Sequence, residues 1–352
     1  MKKGKGKAKK IILRVLCFLL VTVLLSLALL YGVMYVLCKG PSETAAALFV
    51  RSVRETSAIG FLADLFFTDE EIAAMEAVTG EAAVEDMDTS LIQISTESVS
   101  SSADEPYTDA WGHVDDDGDG LIYELIHGPT YTGYMLIVLD PSRVVLGMSP
   151  DNLGKQGFTV QEFVEQNDAV AGINGGGFWD ENGQGDGSTP ETALVHNGEI
   201  YYSWMGVGSG FIGIDDNYIL HVGLGSVEAV QEKNIQEGTG FGPVLVTNGE
   251  IYDEDALQSG LNPRTAIGQR SDGAMLLLVI DGRQPNSLGA TYMDEAEIMY
   301  SYGAVNACNL DGGSSALMWY NGGYVNNSTT VVGIRDIPSS FVVLKEGAKK
   351  NG

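Results

Sequence analysis

The hydrophobic pattern of the chain begins with one long apolar run that follows a basic tail. Six lysines lie within residues 1–10, and residues 11–38 are apolar except for Arg14. A helix needs about 20 apolar residues to cross a bilayer, so the run predicts a single transmembrane helix. The lysines should stay on the cytoplasmic side, which places the chain after the helix outside the cell membrane. A cleavable signal sequence would be shorter and would end in a small-x-small site, which is missing before Gly40. We therefore favour a retained signal anchor.

Short helices are predicted for residues 39–80, directly after the membrane segment. Thr68 followed by Glu71 is the sequence signature of a capping box, which satisfies free backbone N–H groups at the start of a helix. The segment before it, residues 61–67, contains three phenylalanines and two leucines. It either lies on the membrane or against a partner helix, or it packs as a small core between two short helices.

The rest of the chain divides by composition. Residues 81–105 are rich in Glu, Asp, Ser and Thr, which is typical of a flexible, solvated stalk. Residues 106–345 form the main domain, and residues 346–352 form a short tail. In the main domain, short apolar runs predict buried strands at residues 134–140, 169–173, 274–281 and 304–309. Helices are predicted at residues 159–166 and 291–302, the second capped by Thr291 with Asp294 in its first turn.

Turn signals complete the prediction for this domain. Asn-Gly pairs, which favour two-residue hairpins, begin at Asn197, Asn248 and Asn321. Two of the hairpins, residues 193–201 and 244–252, are near copies that arose either by internal duplication or by convergent turn chemistry. Strands and helices alternate without a regular βαβ pattern. We therefore predict one α+β domain with a mixed sheet and glycine-rich loops at its strand ends.

The charge of the main domain restricts its partners. Residues 106–345 contain 32 acidic and 8 basic residues, which gives a net charge of −24. Such a field repels nucleic acids and most other polyanions, so we expect no nucleic-acid partner. Cys308 is the single cysteine of this region, so no disulfide can form within it. The few arginines are therefore notable, and Arg264 and Arg283 both lie in motifs rich in glycine and polar residues.

Four motifs share one pattern, an apolar strand that ends in glycine and polar residues. In the last of them, Asp311 follows the strand directly, and Gly312 and Gly313 permit close approach of a ligand to the backbone. Amide groups in such a turn can bind an anion, and serine hydroxyls add donors. One motif alone is a weak signal, but four together predict a converging site for an anionic ligand. The motifs cover residues 172–179, 240–244, 262–268 with 279–284, and 304–315.

Other chemistries fit the sequence less well. Ser314 lacks the G-x-S-x-G elbow of a serine hydrolase, and the four histidines lie outside the glycine-rich motifs. The same histidine positions argue against a zinc site. Asp115, Asp117 and Asp119 resemble the start of a calcium loop, but its twelfth position is Ile126 rather than glutamate. A structural turn is favoured there, with Ca²⁺ as an alternative; no other cofactor is expected.

The motifs resemble the signature blocks of the phosphodiester glycosidase family. The resemblance is carried by Asn-Gly-Gly-Gly-Phe at residues 174–178, Asn-Pro-Arg-Thr-Ala-Ile-Gly at 262–268, Asp-Gly-Arg at 281–283 and Asn-Leu-Asp-Gly-Gly-Ser-Ser at 309–315. It runs in the same order, roughly from Gly128 to Val343. The family includes the lysosomal enzyme that removes N-acetylglucosamine from a sugar phosphodiester and bacterial proteins associated with exopolysaccharide. The resemblance implies cleavage of a glycosidic bond to a phosphodiester.

This reaction assigns roles to the motif residues. A phosphate leaving group needs little protonation, so one carboxylate, Asp311 or Asp281, is enough to activate water or stabilise the developing cation. Either aspartate can instead orient an arginine, and Arg283 either contacts the substrate or forms a salt bridge. Arg264 is suited to a bidentate grip on phosphate, and Asn174 to a sugar hydroxyl. The complete predicted binding set is Asn174, Gly175, Arg264, Thr265, Arg283, Asn309, Gly312, Gly313, Ser314 and Ser315.

The sequence therefore predicts a membrane-anchored extracytoplasmic glycosidase that hydrolyses sugar-1-phosphodiesters in cell-envelope glycans or exopolysaccharide. Two other functions remain open at this point. One is a non-catalytic module that binds a glycan or phosphopolymer within an envelope assembly system. The other is a phosphodiesterase that cuts at phosphorus and releases a sugar phosphate.

Overall fold

The computed structural model describes residues 3–56, 59–77, 87–94, 106–180, 185–202, 210–327 and 333–347. The predicted helices are confirmed. In the main domain their bounds differ from the predicted ones by at most one residue, whereas the N-terminal helix begins at Lys3, eight residues before the predicted membrane segment. Both predicted caps are present, because Thr68 with Glu71 and Thr291 with Asp294 form capping boxes. The helices are α1 (Lys3–Lys39), α2 (Glu43–Arg54), α3 (Phe61–Asp64), α4 (Asp69–Glu76), α5 (Val160–Gln166), α6 (Val227–Glu232) and α7 (Tyr292–Ser301).

The four predicted strands are also present, together with shorter ones at turns and edges. The strands are β1 (Tyr107–Thr108), β2 (Val114–Asp115), β3 (Leu121–His127), β4 (Thr132–Val138), β5 (Val144–Met148), β6 (Ala169–Asn174), β7 (Leu194–His196), β8 (Glu199–Tyr202), β9 (Phe211–Asp215), β10 (Leu220–Leu224), β11 (Ile235–Gly240), β12 (Val244–Thr247), β13 (Glu250–Ile251), β14 (Arg264–Arg270), β15 (Met275–Ile280), β16 (Ala304–Asn309), β17 (Met318–Tyr320), β18 (Gly323–Tyr324) and β19 (Ser339–Leu344).

Three large sheets form the main domain. The first has seven strands in the order β13-β12-β16-β14-β15-β4-β3, the second five in the order β18-β17-β6-β19-β5, and the third five in the order β10-β9-β11-β7-β8. The α+β class is confirmed. The prediction named a mixed sheet, whereas the pairs described within these three sheets are antiparallel. Hairpins and longer loops therefore connect the strands, and the helices cover the outer faces.

The main core lies between the sheets. Leu136, Ile173, Ile212, Leu277 and Phe341 come from five different strands, are fully buried and belong to one cluster. A second cluster joins α7 to the outer face of the seven-stranded sheet, and a third joins α5 to the outer face of the second sheet. The strands that carry the predicted motifs, β6, β14 and β16, are central in their sheets, so their ends are held rigidly.

The three Asn-Gly turns form as predicted. At each turn both residues have positive φ values, for example 51° at Asn197 and 75° at Gly198. This is the type I′ geometry that matches the twist of a hairpin. The two similar hairpins, β7–β8 and β12–β13, lie in different sheets.

The N-terminal helices form a separate small cluster around Val50, Ala63 and Ile72. Among the described residues, Lys9–Lys39 is the one helix long and apolar enough to cross a membrane, properties that a signal sequence shares. The predicted stalk differs from the structure at residues 87–94, which lie on the domain rather than in solvent. Ile92 is buried there, and the amide of Gln93 donates to the carbonyl oxygen of Ser271 at 2.8 Å. The remaining stalk residues and most of the tail lie outside the described residues.

Candidate active site

A buried amide joins the ends of two sheets at the predicted site. Asn174 ends β6, and its side-chain amide donates to the backbone carbonyl oxygen of Asp311 at 2.6 Å. Its amide oxygen accepts from the Thr265 hydroxyl at 2.8 Å and from the Leu317 amide at 3.2 Å. Asn174 and Thr265 are fully buried. Asn174 therefore holds the loop that carries Asp311, rather than being exposed to a sugar hydroxyl as predicted.

Glycine is required where the loops pass one another. A Cβ atom on Gly175 would lie 2.5 Å from the hydroxyl oxygen of Ser339, and one on Gly312 would lie 2.7 Å from the carbonyl oxygen of Pro263. The amide of Gly313 donates to that same carbonyl at 2.9 Å. The two glycines thus bring the loops into backbone contact, and the Gly313 amide predicted to bind phosphate is already paired.

Asp311 is the carboxylate at the centre of this arrangement. It is partly buried, and its burial raises the pKa to about 7. Hydrogen bonds from Ser315 and the Gly312 amide and the charge of Arg335 lower the pKa, whereas the charge of Glu191 raises it. Asp311 therefore exchanges a proton near neutral pH, as an acid–base catalyst must.

Arg335 was not selected from the sequence, although it is near Asp311. Its Nη1 atom lies 2.6 Å from Asp180 Oδ2 and 3.4 Å from Ser314 Oγ, and its guanidinium lies over the Phe178 ring at 4.9 Å. Arg335 is one of only four arginines after Arg143. The small number of arginines in this region is the sequence signal that could have indicated Arg335. It was not selected because it lies outside the glycine-rich motifs.

Glu191 is a second carboxylate that the sequence motifs did not include. Its backbone amide donates to the carbonyl oxygen of Gly177 at 3.0 Å, which places it beside the first motif. Desolvation and the charge of Asp180 raise the pKa of its side chain. The charge of Glu191 in turn raises the pKa of Asp311, so Asp311, Glu191 and the Arg335 partner Asp180 are three carboxylates of one site.

Arg264 lies on the opposite face of β14 from Thr265, because successive side chains of a strand alternate. Its Nε donates to the carbonyl oxygen of Ala290 at 3.1 Å, and its Nη2 to the carbonyl oxygen of Gly260 and to Glu55 Oε2, both at 2.8 Å. The guanidinium also stacks on the Tyr292 ring at 3.9 Å. These contacts hold the predicted phosphate clamp in a buried position.

Arg283 is the exposed arginine of the motifs. Its Nε and Nη2 donate to Asn262 Oδ1 at 3.1 and 2.8 Å. Both terminal nitrogens lie 3.5 Å from the position of a Cβ atom on Gly313. Within the described residues Arg283 forms no salt bridge with an aspartate, and the Asn262 side chain is the partner described for its guanidinium.

The other candidate carboxylate, Asp281, is buried and fully paired. Its Oδ1 accepts from the Asn326 side chain and the Asn327 amide, both at 3.2 Å, and its Oδ2 accepts from the Tyr134 hydroxyl at 3.1 Å. Asn309, also buried, donates from its side chain to the carbonyl oxygen of Gly242 at 2.6 Å. Both residues hold neighbouring loops in place.

The predicted calcium loop lies apart from these residues. Ligand oxygens of Asp115, Asp117 and Asp119 lie within 4.8 Å of one another, so they could hold a metal ion. The Asp115 carboxylate accepts hydrogen bonds from the amides of Gly118 and Gly120 at 2.8 and 3.0 Å. These bonds are those of a structural turn, and Ca²⁺ stays an alternative ligand.

Comparison with known proteins identifies the domain. The family model for phosphodiester glycosidases matches residues 167–344, which are 178 of the 352 residues. The chain belongs to the phosphodiester glycosidase family. All four glycine-rich motifs lie within the matched range.

Several curated proteins are similar to this phosphodiester glycosidase domain. The SPbeta prophage-derived protein YomE of Bacillus subtilis is 31% identical over 179 residues, which cover 48% of this chain and 27% of YomE. The N-acetylglucosamine-1-phosphodiester alpha-N-acetylglucosaminidase of Bos taurus is 29% identical over 212 residues, which cover 54% of this chain and 39% of the enzyme. The chain thus spans between a quarter and two fifths of the length of these relatives.

Solved structures show the same fold. The zebrafish N-acetylglucosamine-1-phosphodiester alpha-N-acetylglucosaminidase catalytic domain, auto-inhibited by its pro-peptide, matches with a TM-score of 0.54 at 20% identity. The match covers 72% of this chain and 87% of that domain. A Synechocystis protein matches with a TM-score of 0.51 at 15% identity, over 64% of this chain and 62% of its own.

Proposed function

We propose that this protein hydrolyses the bond between the anomeric carbon of a sugar and the oxygen of a phosphodiester. Family membership supports the reaction type, and the observation that carries the proposal is the carboxyl group of Asp311. Its pKa is raised to about 7, and Arg335 and Ser315 lie beside it. A group that can both take up and release a proton near neutrality lies next to a fixed cation.

In the proposed reaction, ionised Asp311 accepts a proton from a water molecule as the water oxygen attacks the anomeric carbon. The bond from that carbon to the phosphate oxygen breaks, and its electron pair leaves with the phosphate as a monoester. The leaving group is already a stable anion, so a second carboxylic acid is not needed to protonate it. Glu191 would instead set the proton affinity of Asp311 through its charge.

Two arginines would hold the phosphate. Arg335 lies near Asp311 and Ser314, and Arg283 lies beside Gly313, so their cations flank the Asp311 loop. A guanidinium binds two oxygens of a phosphate at once. Without such cations, a domain of net charge −24 would repel an anionic substrate. Arg264 would contribute indirectly, because it fixes the loop that contains Asn262, the partner of Arg283.

The test of this function is product analysis. The full-length protein would be incubated with a panel of sugar-1-phosphodiesters that differ in sugar, anomer and second alcohol. We expect a free reducing sugar together with a phosphate monoester. A sugar phosphate would instead show cleavage at phosphorus, and binding without turnover of any member would support a binding module.

We further propose that α1 anchors the protein in the cell membrane, with its basic end in the cytoplasm and the catalytic domain outside, where cell-envelope glycans or exopolysaccharide are accessible. The basic tail and the long apolar helix support this orientation. Protease added to intact cells should release the catalytic domain, and alkaline carbonate should leave the protein in the membrane fraction. A soluble mature protein that begins near Gly40 would contradict the anchor.

A further inference from the structure

An exposed apolar patch lies on the segment that packs against α1 through Phe66 and Phe67. Ile59, Phe61 and Leu65 are 40%, 59% and 60% exposed, and together they are called the α3 patch here. Phe61 and Leu65 are four residues apart and lie on one side of α3 and its continuation. Ala63 and Phe67, between and after them, are buried in the cluster of N-terminal helices. The segment is therefore apolar on both sides, although only one side is covered by the protein.

We propose that the α3 patch lies in the outer interface of the lipid bilayer, next to α1. This inference rests on the proposed membrane anchor. It identifies a second membrane contact, made by a part of the chain that does not cross the bilayer. Partly exposed aromatic and aliphatic side chains at a membrane surface are stabilised by transfer of their apolar area from water into lipid.

The depth of the patch follows from the contacts that Phe66 and Phe67, next to it in the chain, make with α1. Residues 11–30 comprise 20 residues. At a rise of 1.5 Å per residue, they span about 30 Å, the thickness of the hydrocarbon core. Tyr31 then lies at the outer boundary, where tyrosine is enriched. The Phe66 ring, in the same segment as the patch, stacks on Tyr31 with centroids 5.6 Å apart. If a later stretch of α1 spanned the hydrocarbon core instead, both Tyr31 and Phe66 would lie deeper in the bilayer.

Polar contacts hold the patch at this depth. Lys39, at the end of α1, lies 4.4 Å above the Phe67 ring and 3.6 Å from Glu71 of α4. Arg54 pairs with Asp64 at 3.8 Å and with Glu76 at 3.4 Å, so the charge on α3 itself is compensated. The segment therefore cannot move away from α1 without the loss of several contacts.

The patch also places the catalytic domain close to the membrane. Glu55, six residues before Phe61, accepts hydrogen bonds from the Gly260 amide and the Asn262 side chain, both at 2.7 Å. Six residues extend at most about 22 Å, so the backbone of Glu55 lies within that distance of Phe61. The loop at residues 260–264 lies further away by no more than the Glu55 side chain and one hydrogen bond. The site beside that loop would then act on sugar phosphodiesters held near the bilayer surface.

The experiment compares two exposed leucines. Leu65 is 60% exposed in the patch, and Leu288 is 54% exposed on the catalytic domain. Each would be replaced in full-length protein with Cys17→Ser, as Leu65→Cys or Leu288→Cys, labelled with an NBD fluorophore and reconstituted in phosphatidylcholine–phosphatidylglycerol vesicles. Nitroxide-bearing lipid and aqueous iodide would be used as quenchers. We expect severalfold stronger lipid quenching and severalfold weaker iodide quenching at position 65 than at 288.

Two results would overturn the inference. Equal iodide quenching at both positions would show that the α3 patch faces water. Protection of position 65 from both quenchers would show that protein covers it, either a partner helix or a second copy. Carbonate extraction of the same vesicles tests the anchor separately, and sugar phosphodiester hydrolysis by the labelled protein tests the catalytic proposal separately, so failure of one is distinguishable from failure of another.

Discussion

The side-chain amide of Asn174 donates a hydrogen bond of 2.6 Å to the backbone carbonyl oxygen of Asp311, although the two residues are 137 positions apart in the chain. The other end of the same amide is held by Thr265 and Leu317. One buried side chain thus connects β6, β14 and the loop after β16. The orientation of the proposed catalytic carboxylate depends on this junction.

The first prediction concerns Asn174→Asp. The new carboxylate still accepts the bonds from Thr265 and Leu317 but cannot donate to the Asp311 carbonyl when ionised. We expect a loss of about 1–3 kcal/mol in the free energy of unfolding, together with a fall in kcat. The matched control is Asn167→Asp, because Asn167 donates to the Phe163 carbonyl oxygen at 2.8 Å at the end of α5. The control should lose stability but keep its kcat, and an unchanged kcat in folded Asn174→Asp would remove the positioning role.

The second prediction concerns Asp311→Asn. The variant keeps the shape of the side chain but cannot accept a proton from water, so turnover should fall on the order of 10²-fold or more, with little change in substrate binding. Turnover and calorimetric binding of one sugar-1-phosphodiester would measure the two effects. Asp281→Asn is the comparison. We expect it to lower the melting temperature and to change kcat little, because the Asp281 carboxylate accepts hydrogen bonds from Tyr134, Asn326 and Asn327. The opposite pattern would make Asp281 the catalytic carboxylate.

The pKa of Asp311 also predicts how stability changes with pH. The pKa is about 7 in the folded protein and near 4 in the unfolded chain, so the folded state binds more protons between these values. The contribution of Asp311 to the free energy of unfolding therefore falls as pH rises from about 4 to 7 and is constant above that. Asp311→Asn lacks this contribution. Its melting temperature, measured relative to that of the wild type, should therefore increase as pH rises from about 4 to 7. A constant difference would contradict the raised pKa.

The fourth prediction concerns the pH dependence of the reaction. If ionised Asp311 is the base, kcat/KM should rise with pH and level off above about 7. Glu191→Gln removes a negative charge that raises the pKa of Asp311, so the rising limb should move to lower pH. Glu232→Gln, an exposed change on α6, should leave the profile unchanged. If the rising part of the kcat/KM profile has the same midpoint pH in Glu191→Gln as in the wild type, the two carboxylates do not interact.

The fifth prediction distinguishes two arginines. Arg335→Lys should raise KM, because lysine cannot grip two phosphate oxygens, with a small effect on stability. Arg264→Lys should mainly lower the melting temperature, since it loses bonds to Ala290 and Gly260 and the stacking on Tyr292. The sequence analysis assigned Arg264 a bidentate grip on phosphate, a role whose loss in the lysine variant would weaken substrate binding directly. A raised KM with an unchanged melting temperature in Arg264→Lys would support that earlier role.

Local features of the fold were predictable from the sequence because their causes are local. The capping box of Thr68 with Glu71 and the hairpin at Asn197 and Gly198 depend on residues at most three positions apart. The strand that leads to Asp311 was visible as an apolar run. Each of these features needs no knowledge of the rest of the chain.

The site itself was only partly predictable, because its members come from distant segments. Arg335 and Glu191 lie outside the motifs and reach Asp311 only through the packing of the sheets. The surroundings of the Arg264 side chain depend on which face of β14 packs against α7. Tertiary packing, rather than the local sequence, determines that face. Glu55, directly after α2, reaches Arg264 from 209 positions earlier in the chain, a contact that no local pattern indicates.

The junction at Asn174 also bears on how the protein becomes active as it folds. Hairpins such as β7–β8 close over a few residues, whereas the hydrogen bond from Asn174 to Asp311 closes a loop of more than a hundred. Loop-closure entropy makes such long-range pairing slow compared with local structure formation. During refolding from denaturant, secondary structure should therefore return before hydrolytic activity. A chain released from the ribosome would spend that interval with its strands formed and its Asp311 loop not yet held in place.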